Sequence, residues 1–163
     1  MLHLYRLSGR AARTSARGRI YPDPARYRSR RGAAVSEHAT GSRQAVRAVR
    51  GAVQLDRDEA EHMAERVGEL LTTVLERNNL SAEDLISIWF TATPDLHSDF
   101  PAAAARRLGL VDVPLICAQE LEVEGAMPRV VRILAHTETT LPRSEISHVY
   151  LGAAAALRKD IAQ

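Results

Sequence analysis

Cysteine and lysine are all but absent: Cys117 and Lys159 are the single examples of each among 163 residues. One cysteine excludes an intramolecular disulfide framework and a cysteine-rich zinc site, and it suits a reducing compartment, so the expected location is the cytoplasm. Long hydrophobic runs are missing too, none approaching the roughly eighteen apolar residues that a membrane span needs. The length excludes two independent domains but is ample for one with a real core.

Acidic residues are scarce at one end only. Residues 1–44 carry ten arginines against Asp23 and Glu37, a net of +8, so the total of +2 leaves −6 for the remainder. The basic pI near 9.0 comes from this extension alone. Rich in Arg, Ser, Gly and Ala and without sustained apolar periodicity, the extension is expected to be disordered. Three readings of it stay open: an organelle transit peptide, a nucleic-acid-binding arm, or upstream sequence translated from a start placed too early. One lysine against 21 arginines points to a G+C-rich genome, where spurious upstream frames read as Arg, Ala and Gly. Val35 is then a candidate for the true beginning.

From Ala45 the pattern becomes regular. Residues 45–55 alternate as a first strand, with Arg47 on the opposite face from Arg50. Asp56 and Glu59 resemble a capping box, and Ala60, Met63, Ala64, Val67, Leu70, Leu71, Val74 and Leu75 follow at helical spacing to about Asn79. Residues 85–91 read as a buried strand closed by Pro94. Pro101 suits the first turn of a short helix capped by Ser98 or Asp99 and ended by Gly109. Residues 113–118, 130–137 and 146–151 are three further strands. The order β-α-β-α-β-β-β predicts an α/β (α+β) domain over residues 45–163, a mixed five-stranded sheet with helices on one face. The other face or the edges are left for partner subunits to bury.

Four polar residues interrupt or end these apolar strands: Arg50, Glu120, Arg132 and Tyr150. Each alone reads as a solvent-facing residue or part of a structural ion pair. Together, converging from strand ends, they would make a dry cationic pocket for a small dianion.

The stretches "VRAVRGAV", "TATPDLHSDFPAAAARRLG", "VPLICAQELEV", "RVVRILAH" and "HVYLGAAAALR" resemble, in order and spacing, the monofunctional chorismate mutases of the trimeric α/β-barrel class. The resemblance spans residues 46–158. It implies a homotrimer with active sites in the clefts between subunits, and the Claisen rearrangement of chorismate to prephenate on the route to phenylalanine and tyrosine. That step is intramolecular and needs no nucleophile, metal or cofactor. A protein can assist by folding the enolpyruvyl arm back over the ring and by placing positive charge where the ether oxygen becomes negative.

By the matched motifs, Arg132 would donate to the ether oxygen and a substrate carboxylate, and Glu120 would orient Arg132 while accepting from the substrate hydroxyl. Arg50 and Tyr150 resemble carboxylate ligands. Cys117 matches a polar contact near the hydroxyl, its alternative being an inert core cysteine. Phe100, Ala102, Leu115, Ile116 and Leu157 resemble pocket walls. Arg106 and Arg158 look like electrostatic residues that attract or retain the dianion, whereas Arg107 is expected to face solvent. The chain departs from the family at Ala103, where a lysine is common, and its tail beyond Arg158 is short.

His97 between Asp95 and Asp99 invites a metal reading, but no second cluster at metal-site spacing supports it. Asp95 and His97 are expected to fix their loop through local hydrogen bonds. His148 shares a strand face with Tyr150 by period two and reads as a packed or interface histidine. Besides the enzyme, two other classes stay in view: a non-catalytic trimeric binder of a small anionic metabolite, and a nucleic-acid binder acting through residues 1–44. Chorismate is the expected small-molecule partner, and neither membrane nor nucleic acid is expected beside it.

Overall fold

The computed structural model describes residues 43–158. Apart from Arg43 and Gln44, the extension of residues 1–44 lies outside them. The elements run β1 (Ala45–Gln54), α1 (Ala60–Arg77), β2 (Leu85–Ala92), α2 (Pro101–Arg107), β3 (Leu115–Gln119), β4 (Val130–Thr139) and β5 (Val149–Leu151), with short 3-10 turns at Ala82–Asp84, Arg143–Glu145 and Gly152–Arg158. No helix among them is long and apolar enough to cross a membrane.

The five strands form one sheet in the order β3-β2-β4-β1-β5. β4 lies antiparallel between β1 and β2, while the outer pairs β1–β5 and β2–β3 are parallel. The period of two gives this sheet two unlike faces. Val49, Val53, Ile88, Phe90, Ile133 and Ala135 lie on one face and are buried with Met63, Val67, Leu70, Leu71 and Val74 of α1 and Ala102, Ala104 and Ala105 of α2. The two α-helices thus cover one face, as the sequence predicts, while the Gly152–Arg158 turn covers the Ala52 corner of the other.

Local details depart from expectation where side chains take over backbone bonds. The capping box at Asp56 and Glu59 is not formed: the N-cap is Glu59 with no side-chain cap bond, and the Asp56 amide donates instead to Nε2 of the buried His62 at 3.2 Å. A capping box does form at Ser81 and Asp84, ahead of the first 3-10 turn. Helix α2 is capped by neither Ser98 nor Asp99. Its N-cap is Phe100, whose amide donates to Asp99 Oδ1 at 2.7 Å. Gly109, at φ +88, ends it as expected.

Strand β5 begins three residues later than its apolar run because Ile146 and Ser147 are engaged elsewhere. The Asn78 side chain, buried at the end of α1, donates to the Ser147 carbonyl and accepts the Ser147 amide. β3 starts at Leu115, after Pro114, which has no N–H to give to a ladder; the Pro114 carbonyl accepts from Ile88 at 3.0 Å.

Candidate active site

The uncovered face of the sheet carries its polar residues in two adjacent rows, which follow from the register. One row runs Tyr150, Ala52, Arg132, Thr91, Ala118 across β5, β1, β4, β2 and β3. The next runs Arg50, Leu134, Trp89, Ile116. Arg132 and Tyr150 therefore flank Ala52 on either side, and Arg50 stands two residues away on the same strand face. Ala52 is fully buried under a small cluster of Val130 and Ala154 with Met127, Tyr150 and Leu157 against it.

These residues surround a hollow of about 390 Å³ lined by Arg50, Gly51, Trp89, Thr91, Arg132, Ile133, Leu134, Tyr150, Leu157 and Arg158. Glu120, just past the end of β3, is placed by its own amide donating to the Ala92 carbonyl at 2.9 Å. Its carboxylate accepts Nη1 of Arg132 through one oxygen and the Thr91 hydroxyl through the other at 2.6 Å. Arg132 and Glu120 are 32% and 18% exposed, so their attraction is less screened than on an open surface. A guanidinium has five N–H donors, so Arg132 can serve a ligand while Glu120 fixes its fork.

A second hollow, of about 420 Å³, lies toward the β3 edge and is lined by residues 92–94, 96–101 and 117–119, including Phe100 and Cys117. Phe100 is 72% exposed. Cys117 pairs with Phe90 in register and packs against the core beneath the helices. Cys117 and Arg132 thus lie on opposite faces of one sheet.

The sequence-derived set is accordingly divided. Arg50, Glu120, Arg132, Tyr150, Leu157 and Arg158 come together, while Phe100 and Cys117 meet elsewhere. Ile116 is half exposed beside Trp89. Ala102 and Leu115, expected as pocket walls, line neither hollow: Ala102 is on the buried face of α2, and Leu115 shares the parity of Cys117. Arg106 is exposed on the last turn of α2 and lines neither hollow. Arg107 faces solvent as expected, and on that surface makes a two-bond pair with Glu61 of α1 at 2.8 and 3.1 Å.

The loop between β2 and α2 is fixed by distant partners rather than by the local bonds expected of Asp95 and His97. Asp58 accepts the amides of His97 and Ser98 at 2.9 and 3.1 Å, and Asp95 accepts the Arg129 amide. Burial alone would raise the Asp58 carboxyl, but bonds from the Ser98 side chain and from the two amides outweigh it and hold it below its ordinary value of 3.8. Thr91 and Trp89 line the Arg132 hollow although the sequence does not single them out. Their signal is parity with Arg132, which only the pairing of β2 with β4 makes visible.

Fold and site together define an α/β protein with a preorganised cationic hollow on an open sheet face, suited to a small carboxylate-bearing ligand. Residues 46–161 match the family model described as chorismate mutase type I. The chain belongs to the chorismate mutase type I family. It is 44% identical over 117 residues to the chorismate mutase AroH of Thermus thermophilus, spanning 71% of this chain and 96% of that one. It is 38% identical over 117 residues to the chorismate mutase AroH of Bacillus subtilis (strain 168), spanning 71% and 92%. Among solved structures it resembles a chorismate mutase from Clostridium thermocellum, with a TM-score of 0.66 and 37% identity over 67% of this chain and 97% of that one.

Proposed function

We propose that the hollow around Ala52 is the site at which this chorismate mutase, an isomerase, rearranges chorismate to prephenate for phenylalanine and tyrosine biosynthesis. The observation that carries it is the chain Thr91, Glu120, Arg132 on the open face, with Arg50 and Tyr150 flanking it. Arg132 donates to the ether oxygen as the C–O bond breaks and negative charge grows there, the point at which a fixed donor lowers the barrier most. Glu120 holds the Arg132 fork and accepts from the substrate hydroxyl. Arg50 and Tyr150 bind carboxylates and hold the enolpyruvyl arm folded over the ring. Leu157 closes the wall, and Arg158 adds attraction for the dianion.

The working unit is a homotrimer in which a neighbouring copy completes the site. Two observations support this reading. Val46, Trp89, Ile116 and Leu134 leave an apolar surface on the open face, each more than a third exposed. Phe100 and Cys117 line a hollow separate from that of Arg132. On this reading Phe100, Cys117 and the nearby Arg106 serve the Arg132 of the adjacent subunit. Residues 45–163 constitute the catalytic domain, and the cytoplasm is its place of work.

Loss of chorismate absorbance with the purified chain tests the assignment. Arg132→Ala is expected to lower kcat by about 10²–10³ with the fold intact by circular dichroism. Wild-type kcat in that variant would remove Arg132 from the central role.

A further inference from the structure

We infer that His148 is a positioning residue which locks the Arg50 side of the site to the Tyr150 side, its ring nitrogen standing in for a missing rung between β1 and β5. The inference rests on the assignment of Arg50 and Tyr150 as carboxylate ligands. Strand β5 is three residues long, and its ladder with β1 consists of Gly51↔Val149, Ala52↔Tyr150 and Val53↔Leu151. Arg50 lies one residue before that ladder. Its amide donates to Nδ1 of His148 at 3.1 Å. A side chain on the residue before β5 thus lengthens a short pairing at the end where Arg50 stands.

The bond has a protonation requirement. Nδ1 can accept only when it carries no proton, so the ring must be neutral with its proton on Nε2. Burial first, then the Arg50 and Arg158 cations, hold the ring below its ordinary value of 6.5 and favour the neutral form. Among the described residues those are the charged groups acting on it, from β1 and from the terminal 3-10 turn; α1 reaches this corner through the uncharged Asn78, which holds Ser147. On protonation Nδ1 becomes a donor facing a donor, and a third cation joins two arginines. The rung is then lost, the β1–β5 pairing ends at Gly51, and Arg50 is held less firmly relative to Tyr150.

Because the folded value is lowered, the neutral ring is fully present above pH 6.5 and is lost as the pH falls through that lowered value. Loss of alignment between two ground-state carboxylate ligands raises KM more than it lowers kcat.

The test measures kcat and KM for chorismate between about pH 5 and 8 with the full chain, its His148→Asn and His148→Ala variants, and Arg50→Ala as reference. Wild type is expected to lose kcat/KM on the acid side through a rise in KM. His148→Asn, whose Oδ1 can accept the same amide without titrating, should keep near-wild-type KM at the upper end and lose the acid limb. His148→Ala should raise KM about 2- to 10-fold at every pH, with kcat less affected. An acid limb unchanged in His148→Asn would overturn the inference, as would wild-type KM in His148→Ala. If the alanine variant fails to fold, the asparagine profile decides alone. Wild-type KM in Arg50→Ala would instead remove the ligand assignment, and the inference with it.

Discussion

The two faces of the sheet are built from the same strands and differ by one residue of phase. Beneath the helices, Val49, Val53, Ile88, Phe90, Ile133 and Ala135 are almost wholly excluded from water. Between them along the same strands stand Arg50, Trp89, Thr91, Arg132 and Leu134 on the open side. The covered face resembles any α/β core, and its contribution is burial of apolar area. The open face is costly for an isolated chain, since it gathers cations and exposes large apolar groups. Along β1, β2 and β4 the contrast teaches that core and candidate site are divided by parity: a substitution at one position alters the core, and at the next position the face that carries Arg50 and Arg132.

The largest expected effect breaks the covered face while sparing the open one. Phe90 is fully buried, pairs with Ile133 and lies directly between Trp89 and Thr91. Phe90→Ala should destabilise the fold by about 3–5 kcal/mol, read as a lowered thermal midpoint at fixed protein concentration. The share of molecules that remains folded should retain kcat within a few-fold. A large loss of kcat with little loss of stability would show that the division by parity is wrong.

A smaller effect is expected from the open face, on the proposal that a neighbouring copy covers it. Trp89 is 51% exposed and lies between Leu134 and Ile116 in register. Trp89→Glu would put a charge into the surface proposed to meet a second copy. Loss of such an anchor typically costs about 2 kcal/mol or more of association. Sedimentation should show smaller species, and activity per chain should rise with protein concentration. An unchanged assembly would place the subunit contact elsewhere.

Much of this division is legible in the sequence. Alternation in β1, β2 and β4 and helical spacing in α1 set which residues face the core, and the family resemblance names Arg132, Glu120, Arg50 and Tyr150 as a set. What is not legible depends on contacts remote in sequence. The late start of β5 follows from Asn78, 69 residues away from Ser147. The failure of the capping box near Asp56 follows from His62 taking its amide. Cys117 and Arg132 sit on different strands, so parity within each says nothing about whether they share a face. Only the pairing of β2 with both β3 and β4 reveals that they do not. Thr91, a β-branched residue in a strand, reads as strand propensity alone, and its bond to Glu120 is what gives it a place in the site.

The sharpest test of the division is the residue that joins the two faces. Gly51 lies on the covered side between Arg50 and Ala52, and lines the base of the hollow. A methyl group there would meet Ile133 Cγ1 at 3.0 Å, Leu70 Cδ1 at 3.1 Å and the Val149 carbonyl oxygen at 3.2 Å. The first two are ends of side chains and can turn aside. The third is backbone of β5, one residue before Tyr150, and cannot yield without moving the strand. Gly51→Ala should therefore cost about 1–2 kcal/mol of stability from overpacking. It should also raise KM several-fold, because β5 moves relative to Arg50 and small misplacements are expensive in a positioned site. If stability falls while KM stays at the wild-type value, the helices and side chains absorb the methyl group and the two faces act independently. If KM rises, the short β5 is the element through which packing on one face sets ligand geometry on the other.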